Sequence, residues 1–174
     1  IWEKPSSGKL LDISGTPAQV LETSLHYLTQ QEMKMNMGVI GMGVMGKSLA
    51  LNLAENGVSV SLYNRFVAGK EEGIAQKVLL ENPEFTQMAA FEDLPAFVAS
   101  LATPRRILMM IPAGAAIDAQ LDALIPILEK DDLVIDGGNS FYLDSDRRVN
   151  RLKEAGMHFL PMGVSGGEEG ARKG

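Results

Sequence analysis

Three glycines in Gly41-Met42-Gly43-Val44-Met45-Gly46 have the spacing in this sequence that most directly implies a chemistry. In a G-x-G-x-x-G run the first glycine makes a tight turn. The second lets backbone amides approach an anion, and the third lets a helix pack closely on a strand. The helix that follows presents unpaired N–H groups and the positive end of its dipole, so the fitting ligand is a pyrophosphate. A plain Gly-rich turn would carry the same letters. Here an apolar strand precedes the run, a helix follows it and a second strand ends near Asn64, which is the context dinucleotide binding requires. Gly41, Met42, Gly43, Val44, Met45 and Gly46 are therefore the candidate cofactor-binding loop.

The end of that second strand reads Tyr63-Asn64-Arg65. An acidic residue about 20 positions past the glycines would hold the ribose hydroxyls of NAD and repel a 2′-phosphate. Asn64 can instead donate to phosphate oxygens, and the Arg65 guanidinium can pair with phosphate while stacking on adenine. Both residues favour NADP, although an ordinary solvated Asn-Arg pair would read the same way. Lys70 reads as a solvated lysine.

Two more glycine-rich segments follow strands, Asp136-Gly137-Gly138-Asn139-Ser140 and Gly163-Val164-Ser165-Gly166-Gly167-Glu168-Glu169-Gly170. Ligands of doubly wound sheets bind outside the C-terminal strand ends, so the Asn139-Ser140 pair is well placed. The glycines of the later loop could turn backbone amides toward a carboxylate or phosphate. The plain alternatives are a D-G-G-N turn and a flexible surface loop. Glu168 and Glu169 read as structural or solvated carboxylates, and His158 as a core or edge residue.

These positions need a scaffold that brings strand ends together. Strand-period or apolar runs fall at 37–41, 58–64, 85–90, 106–111, 132–136 and 157–161. Helical segments fall between them at 44–56, 69–80, 92–101, 115–128 and 144–155, the first stopped by Gly57. The Ile-Leu-Met-Met-Ile run at 107–111 does not alternate, which suits a parallel sheet covered on both faces. The pattern predicts an α/β fold, a doubly wound and mostly parallel sheet of Rossmann type over residues 35–174. Residues 1–34 read as an N-terminal extension of unknown role, with a helix over 16–31 opened by Thr16-Pro17. The ten methionines read as core filling.

Composition narrows the function. Sixteen Lys and Arg against 22 Asp and Glu give a net charge of −6, with no basic stripe for nucleic acid or an anionic membrane. The absence of cysteine excludes a disulfide scaffold, a Cys-ligated metal and a thiol nucleophile, and two isolated histidines argue against a metal site. No apolar run approaches the roughly 18–20 residues of a membrane span, and no secretory pattern opens the chain. The expected compartment is the cytoplasm. A start at Ile1 points to a fragment or a processed chain.

Taken together, these motifs resemble the 6-phosphogluconate dehydrogenase family, within the wider β-hydroxyacid dehydrogenases. The resemblance runs over 35–174: the glycine loop with Ala50, Asn52, Leu53 and Gly57, the Asn64-Arg65 pair, Asp136 to Ser140 with Asp144, Arg147 and Arg148, and Val164 to Ala171. It implies NADP as cofactor and an oxidative decarboxylation of 6-phospho-D-gluconate to D-ribulose 5-phosphate and CO2. Residues 41–45 are implied to hold the pyrophosphate, and Asn64 and Arg65 the adenosine 2′-phosphate. Ile111, Pro112 and Ala113 are implied to lie along the cofactor. Asn139 is implied to contact both nicotinamide ribose and substrate, and Ser165, Gly166 and Gly167 the substrate near its carboxylate.

Three departures qualify the resemblance. Phe66 stands where the family usually has a hydroxyl residue, and Pro112 where many members have lysine. The lysine base and glutamate acid that the family implies belong to a helix beyond Gly174, as do the helical domain that forms a homodimer and a tail that completes the partner's site. No catalytic residue is therefore expected in this chain. The expectation is a coenzyme domain that binds cofactor without useful turnover, since each missing proton transfer removes about 10²–10⁴-fold. A related hydroxyacid dehydrogenase domain and a non-catalytic nucleotide-sensing module are the alternatives.

Overall fold

A computed structural model describes Thr16 and residues 34–174, and the expected helix over 16–31 lies outside the described residues. Residues 34–174 form one compact unit built on six short strands. These are β1 (Met37–Ile40), β2 (Val60–Tyr63), β3 (Met88–Phe91), β4 (Arg106–Met109), β5 (Leu133–Asp136) and β6 (His158–Pro161). The helices are α1 (Val44–Glu55), α2 (Ile74–Glu81), α3 (Leu94–Ala99), α4 (Ala115–Leu124), α5 (Tyr142–Glu154) and α6 (Gly167–Lys173).

All strand pairs are parallel, in the order β3-β2-β1-β4-β5-β6. The chain thus winds outward from β1 through β2 to β3, then returns to place β4 on the other side of β1. Loops leaving β1 and β4 diverge to opposite faces, and the crevice between them is where such sheets accept ligands. Apolar side chains alternate through the sheet. Val39, Leu108 and Ile135 face one core layer with Ala50 and Leu51 of α1, while Ile40, Ile107, Met109 and Val134 face the other with Phe97, Ile117 and Leu152. Each fully buried residue of this size contributes about 1.5–3 kcal/mol. The runs therefore had to be apolar on both sides, as the sequence of β4 foretold.

Local chemistry explains where element boundaries depart from the sequence expectation. The helix expected over 69–80 starts only at Ile74, because Gly69 (φ +70°) and Gly73 (φ +61°) hold a left-handed backbone that a helix cannot continue. Val67 to Glu71 instead forms a tight turn closed by Val67 N–H to Glu71 O (3.0 Å) and Glu71 N–H to Val67 O (2.8 Å). Asp93 caps α3 by accepting from Ala96 N–H at 2.8 Å, with Pro95 in the first turn. Pro126 ends α4 early, in a 3-10 turn over Ile125–Ile127. The glycine-rich segment after β6, for which a flexible surface loop was the plain alternative, closes into α6, which lies on α1 through Asn52 Nδ2–H to Arg172 O (2.9 Å) and an Arg172–Glu55 ion pair.

One buried cation ties the two ligand-facing loops of the β4–β6 half together. Arg148 on α5 is fully buried. It donates to both oxygens of Asp118 on α4 (2.9 and 3.0 Å), to Gly114 O (3.0 Å) and to Ser140 Oγ (3.2 Å). Asp136 completes the network: its Oδ2 accepts from Ser140 Oγ at 2.6 Å, and its Oδ1 accepts from Gly138 N–H at 3.0 Å. A guanidinium out of water is tolerable only when its donors are matched in this way. The Arg148 hydrogen bonds hold the Asp118 carboxyl far below the usual carboxylate range. Asp118 therefore stabilises the fold fully above its unfolded value, near pH 4, and loses that contribution as pH falls below it. D118N is expected to lower the unfolding free energy by about 3 kcal/mol at pH 7, by stranding the buried guanidinium. The gap to the wild type should narrow below about pH 4. Urea midpoints at pH 7 and pH 3 measure both, and equal midpoints at pH 7 would remove Arg148 from its structural role.

Candidate cofactor-binding site

The three glycines of the first loop do three different jobs. Gly41 has φ +94°, and a Cβ there would meet the Met110 carbonyl oxygen at 2.5 Å, so the residue must be glycine for the turn and for the neighbouring β4 loop. A Cβ on Gly46 would lie 1.9 Å from the Gly41 oxygen, which only glycine can avoid. Gly43 is different: nothing lies within 4 Å of the position its Cβ would take, and its φ of −69° suits any residue. No internal contact of the described residues therefore requires glycine at 43. The open position lies at the start of α1, which has no side-chain cap and no acidic residue in its first turn. Such a helix end attracts an anion through its free amides and its dipole. The residues present thus fit a pyrophosphate.

A cleft of about 460 Å³ opens from this loop. It is lined by Gly41 and Gly43 of the glycine loop, by Asn64 and Arg65 after β2, and by Ile111 and Pro112 on the β4 side. Ala116, Ala119 and Gln120 of α4 complete that wall, and sequence reasoning did not single them out. Only Ala116 had a signal, in the run of small residues that opens the helix. Met42 is buried in the core and joins the site only through its backbone. Val44 is exposed, and neither it, Met45 nor Ala113 lines the cleft.

The end of β2 is bonded directly to the glycine loop. Asn64 is buried, and its Oδ1 accepts from Met42 N–H at 3.0 Å. That bond fixes which way the amide faces, so its Nδ2 turns outward, donating to Arg65 O and to Glu71 Oε2, each at 3.1 Å. Arg65 is exposed and lies against the same carboxylate, with Nη2 2.9 Å from Glu71 Oε1. Hydrogen bonds from Arg65, then from Asn64, hold the Glu71 carboxyl below its ordinary value. Burial raises the neighbouring Tyr63 hydroxyl, whose ring packs on Phe97. Phe66 is exposed.

Asn139 does not share this cleft. It lies in a second one, about 420 Å³, between the β5 loop and Met162 and Gly163 after β6. The loops that line the two clefts approach each other at Gly138, where a Cβ would lie 3.3 Å from the Ile111 carbonyl oxygen. Ser165, Gly166 and Gly167 follow Gly163 and are exposed, with Gly166 (φ +112°) and Gly167 (φ +63°) turning the chain into α6. Glu168 and Glu169 are solvent-facing, Glu169 pairing with Lys173, and His158 is an exposed residue of the edge strand. No group of three or more potential metal ligands occurs among the described residues. No helix among them is long and apolar enough to cross a membrane.

The profile of the NAD binding domain of 6-phosphogluconate dehydrogenase matches residues 36–174. The chain belongs to this family. The NADP(+)-dependent, decarboxylating 6-phosphogluconate dehydrogenase of Bacillus subtilis (strain 168) is 50% identical over 141 residues, covering 81% of this chain and 29% of that protein. The decarboxylating enzyme of Trypanosoma brucei brucei is 46% identical over 142 residues, with 82% and 29% covered. Among solved structures, Plasmodium falciparum 6-phosphogluconate dehydrogenase superposes with a TM-score of 0.72 at 34% identity, covering 80% of this chain and 29% of that one. Mycobacterium tuberculosis 3-hydroxyisobutyrate dehydrogenase, at 22% identity and a TM-score of 0.65, shares the fold, with 80% and 44% covered. The chain therefore spans about 29% of the length of the 6-phosphogluconate dehydrogenases it matches.

The glycines of this family member separate binding from folding. Gly43→Ala is expected to lower the melting temperature by about 2–4 °C, the effect of about 1 kcal/mol at a helix cap. It should weaken dinucleotide binding about tenfold or more, as a methyl group displaces the phosphate from the amides. Gly46→Ala is expected to lose about 3 kcal/mol of stability through the backbone clash. Thermal melts with calorimetric titration check both. Unchanged dinucleotide affinity in G43A would place the phosphate elsewhere.

Proposed function

We propose that this chain is the coenzyme-binding domain of an NADP-dependent 6-phosphogluconate dehydrogenase. The observation that carries the reading is one cleft lined both by Gly43, at the uncapped N-terminus of α1, and by Arg65. Those two anion-seeking groups suit the two phosphate centres of NADP, a pyrophosphate and a 2′-phosphate. The B. subtilis relative is named as NADP(+)-dependent, and the P. falciparum structure is described with cofactor NADP+ and substrate 6-phosphogluconate.

In this reading the reaction is oxidative decarboxylation of 6-phospho-D-gluconate to D-ribulose 5-phosphate and CO2. Bound NADP+ supplies the hydride acceptor. Gly41, Gly43 and the first amides of α1 hold the pyrophosphate, while Ile111 and Pro112 support the cofactor along the β4 side. Asn139, which lines the second cleft, contacts both nicotinamide ribose and sugar acid in this reading. Ser165, Gly166 and Gly167 offer a hydroxyl and backbone amides to the substrate carboxylate. The proton transfers belong to residues outside the 174, so these residues by themselves bind cofactor without useful turnover. The whole protein is proposed to work as a cytoplasmic homodimer.

Calorimetric titration with NADP+ and, separately, NAD+ tests the reading. NADP+ is expected to bind about tenfold tighter or better, equivalent to roughly 1.4 kcal/mol. Arg65→Ala should remove most of that margin while leaving NAD+ affinity nearly unchanged. Equal affinities in the wild type would overturn the NADP assignment, and a folded chain that binds neither would overturn the cofactor-domain reading.

A further inference from the structure

The donors that recommend Asn64 and Arg65 for a phosphate already have an anion in this structure. Glu71 Oε1 lies 2.9 Å from Arg65 Nη2 and 3.3 Å from Nε, and its Oε2 lies 3.1 Å from Asn64 Nδ2. A carboxylate and a phosphate offer the same paired oxygens to a guanidinium, so they compete for one set of donors. We propose that Glu71 is a specificity-determining residue of the cofactor site. It occupies the donor set that the 2′-phosphate needs, must yield it when NADP binds, and so narrows the preference for NADP over NAD. The inference rests on the NADP reading above.

Three features make Glu71 a displaceable occupant. Its backbone is pinned by the Val67–Glu71 turn, with Glu71 N–H donating to Val67 O at 2.8 Å, so only the side chain has to rotate. The carboxylate side chain is 31% exposed and the arginine 71% exposed, which leaves a path into water and keeps the pair weak. A phosphate monoester carries about −1.5 to −2 charge, more than a carboxylate can match. Asn64 does not move in the exchange, because its Oδ1 is committed to Met42 N–H. Toward NAD the same carboxylate has no need to leave. A carboxylate at this end of such a site can accept hydrogen bonds from the ribose hydroxyls.

The test is calorimetric titration of NADP+ and NAD+ against wild type, Glu71→Gln, Glu71→Asp and Glu72→Gln, each checked for folding by circular dichroism. E71Q is expected to tighten NADP+ by about threefold to fivefold and to leave NAD+ unchanged or weaker. E71D keeps the charge but withdraws it by one methylene, and it should shift the ratio in the same direction. Glu72 lies next to Glu71, but its carboxylate accepts from Gly69 N–H. E72Q therefore removes the same charge without freeing the donors, and is expected to leave the ratio unaltered. If wild type prefers NADP+ but E71Q does not raise the preference, or E72Q raises it equally, the role of Glu71 is overturned and the NADP reading stands. If wild type binds NADP+ and NAD+ equally, or neither, both fall.

Discussion

The binding face depends on how closely the first turn of α1 approaches the end of β1. The carbonyl of Gly41 lies where a side chain on residue 46 would begin. This approach is possible only because residue 46 carries no Cβ, while the left-handed backbone of Gly41 makes the turn beside the β4 loop. Once the helix is seated there, its N-terminal amides and the positive end of its dipole are aimed across the strand ends, at the place where the sheet order reverses between β1 and β4. The core on both faces holds that geometry, because β1 and β4 are central strands with apolar side chains on each side.

From that contact the site extends in two directions by different means. Toward β2 it is carried by a single side chain, Asn64, whose carbonyl oxygen holds the glycine loop and whose amide nitrogen thereby faces Glu71 and the cleft. Toward β5 it is carried by buried charge. Arg148, matched by Asp118, Ser140 and the Gly114 carbonyl, fixes the loops after β4 and β5 against each other. Among the described residues no buried side-chain nitrogen or oxygen lacks a partner. The internal polar groups are thus satisfied by one another, as burial requires. Groups placed to meet a ligand are among those left facing solvent: the open position at Gly43, the Arg65 guanidinium shared with Glu71, and Asn139.

Much of this was legible in the sequence because it is local. Strand and helix alternate with the periods of their side chains. The helix boundaries set by Gly69, Gly73, Asp93 and Pro126 were not read correctly, although each acts on its own backbone or on a neighbour within a turn. The G-x-G-x-x-G run and its distance to Asn64-Arg65 specify a dinucleotide loop for the same reason. Spacing along a strand–helix–strand unit is nearly fixed by geometry, and the match over residues 36–174 agrees with it. The sequence reading left Gly163 to Gly170 without regular structure, as a candidate anion-binding loop with a surface loop as the plain alternative, yet four of these residues belong to α6. That short glycine-containing helix is held by its contacts with α1 rather than by its own propensity.

The sequence by itself determined the parallel α/β architecture, the cofactor class of the loop and the residue types at each strand end. All of these follow from steric limits and periodicities that act over a few residues. Only the tertiary structure decided which glycine is required by packing and which stands open to a ligand, that Arg148 is a buried clasp between two loops, and that Glu71 shares the donors of Asn64 and Arg65. Those outcomes depend on distances between residues far apart in the chain, as between Gly41 and the Met110 carbonyl or Arg148 and the Gly114 carbonyl. Such distances are set by how helices pack across the sheet, and no local spacing encodes them.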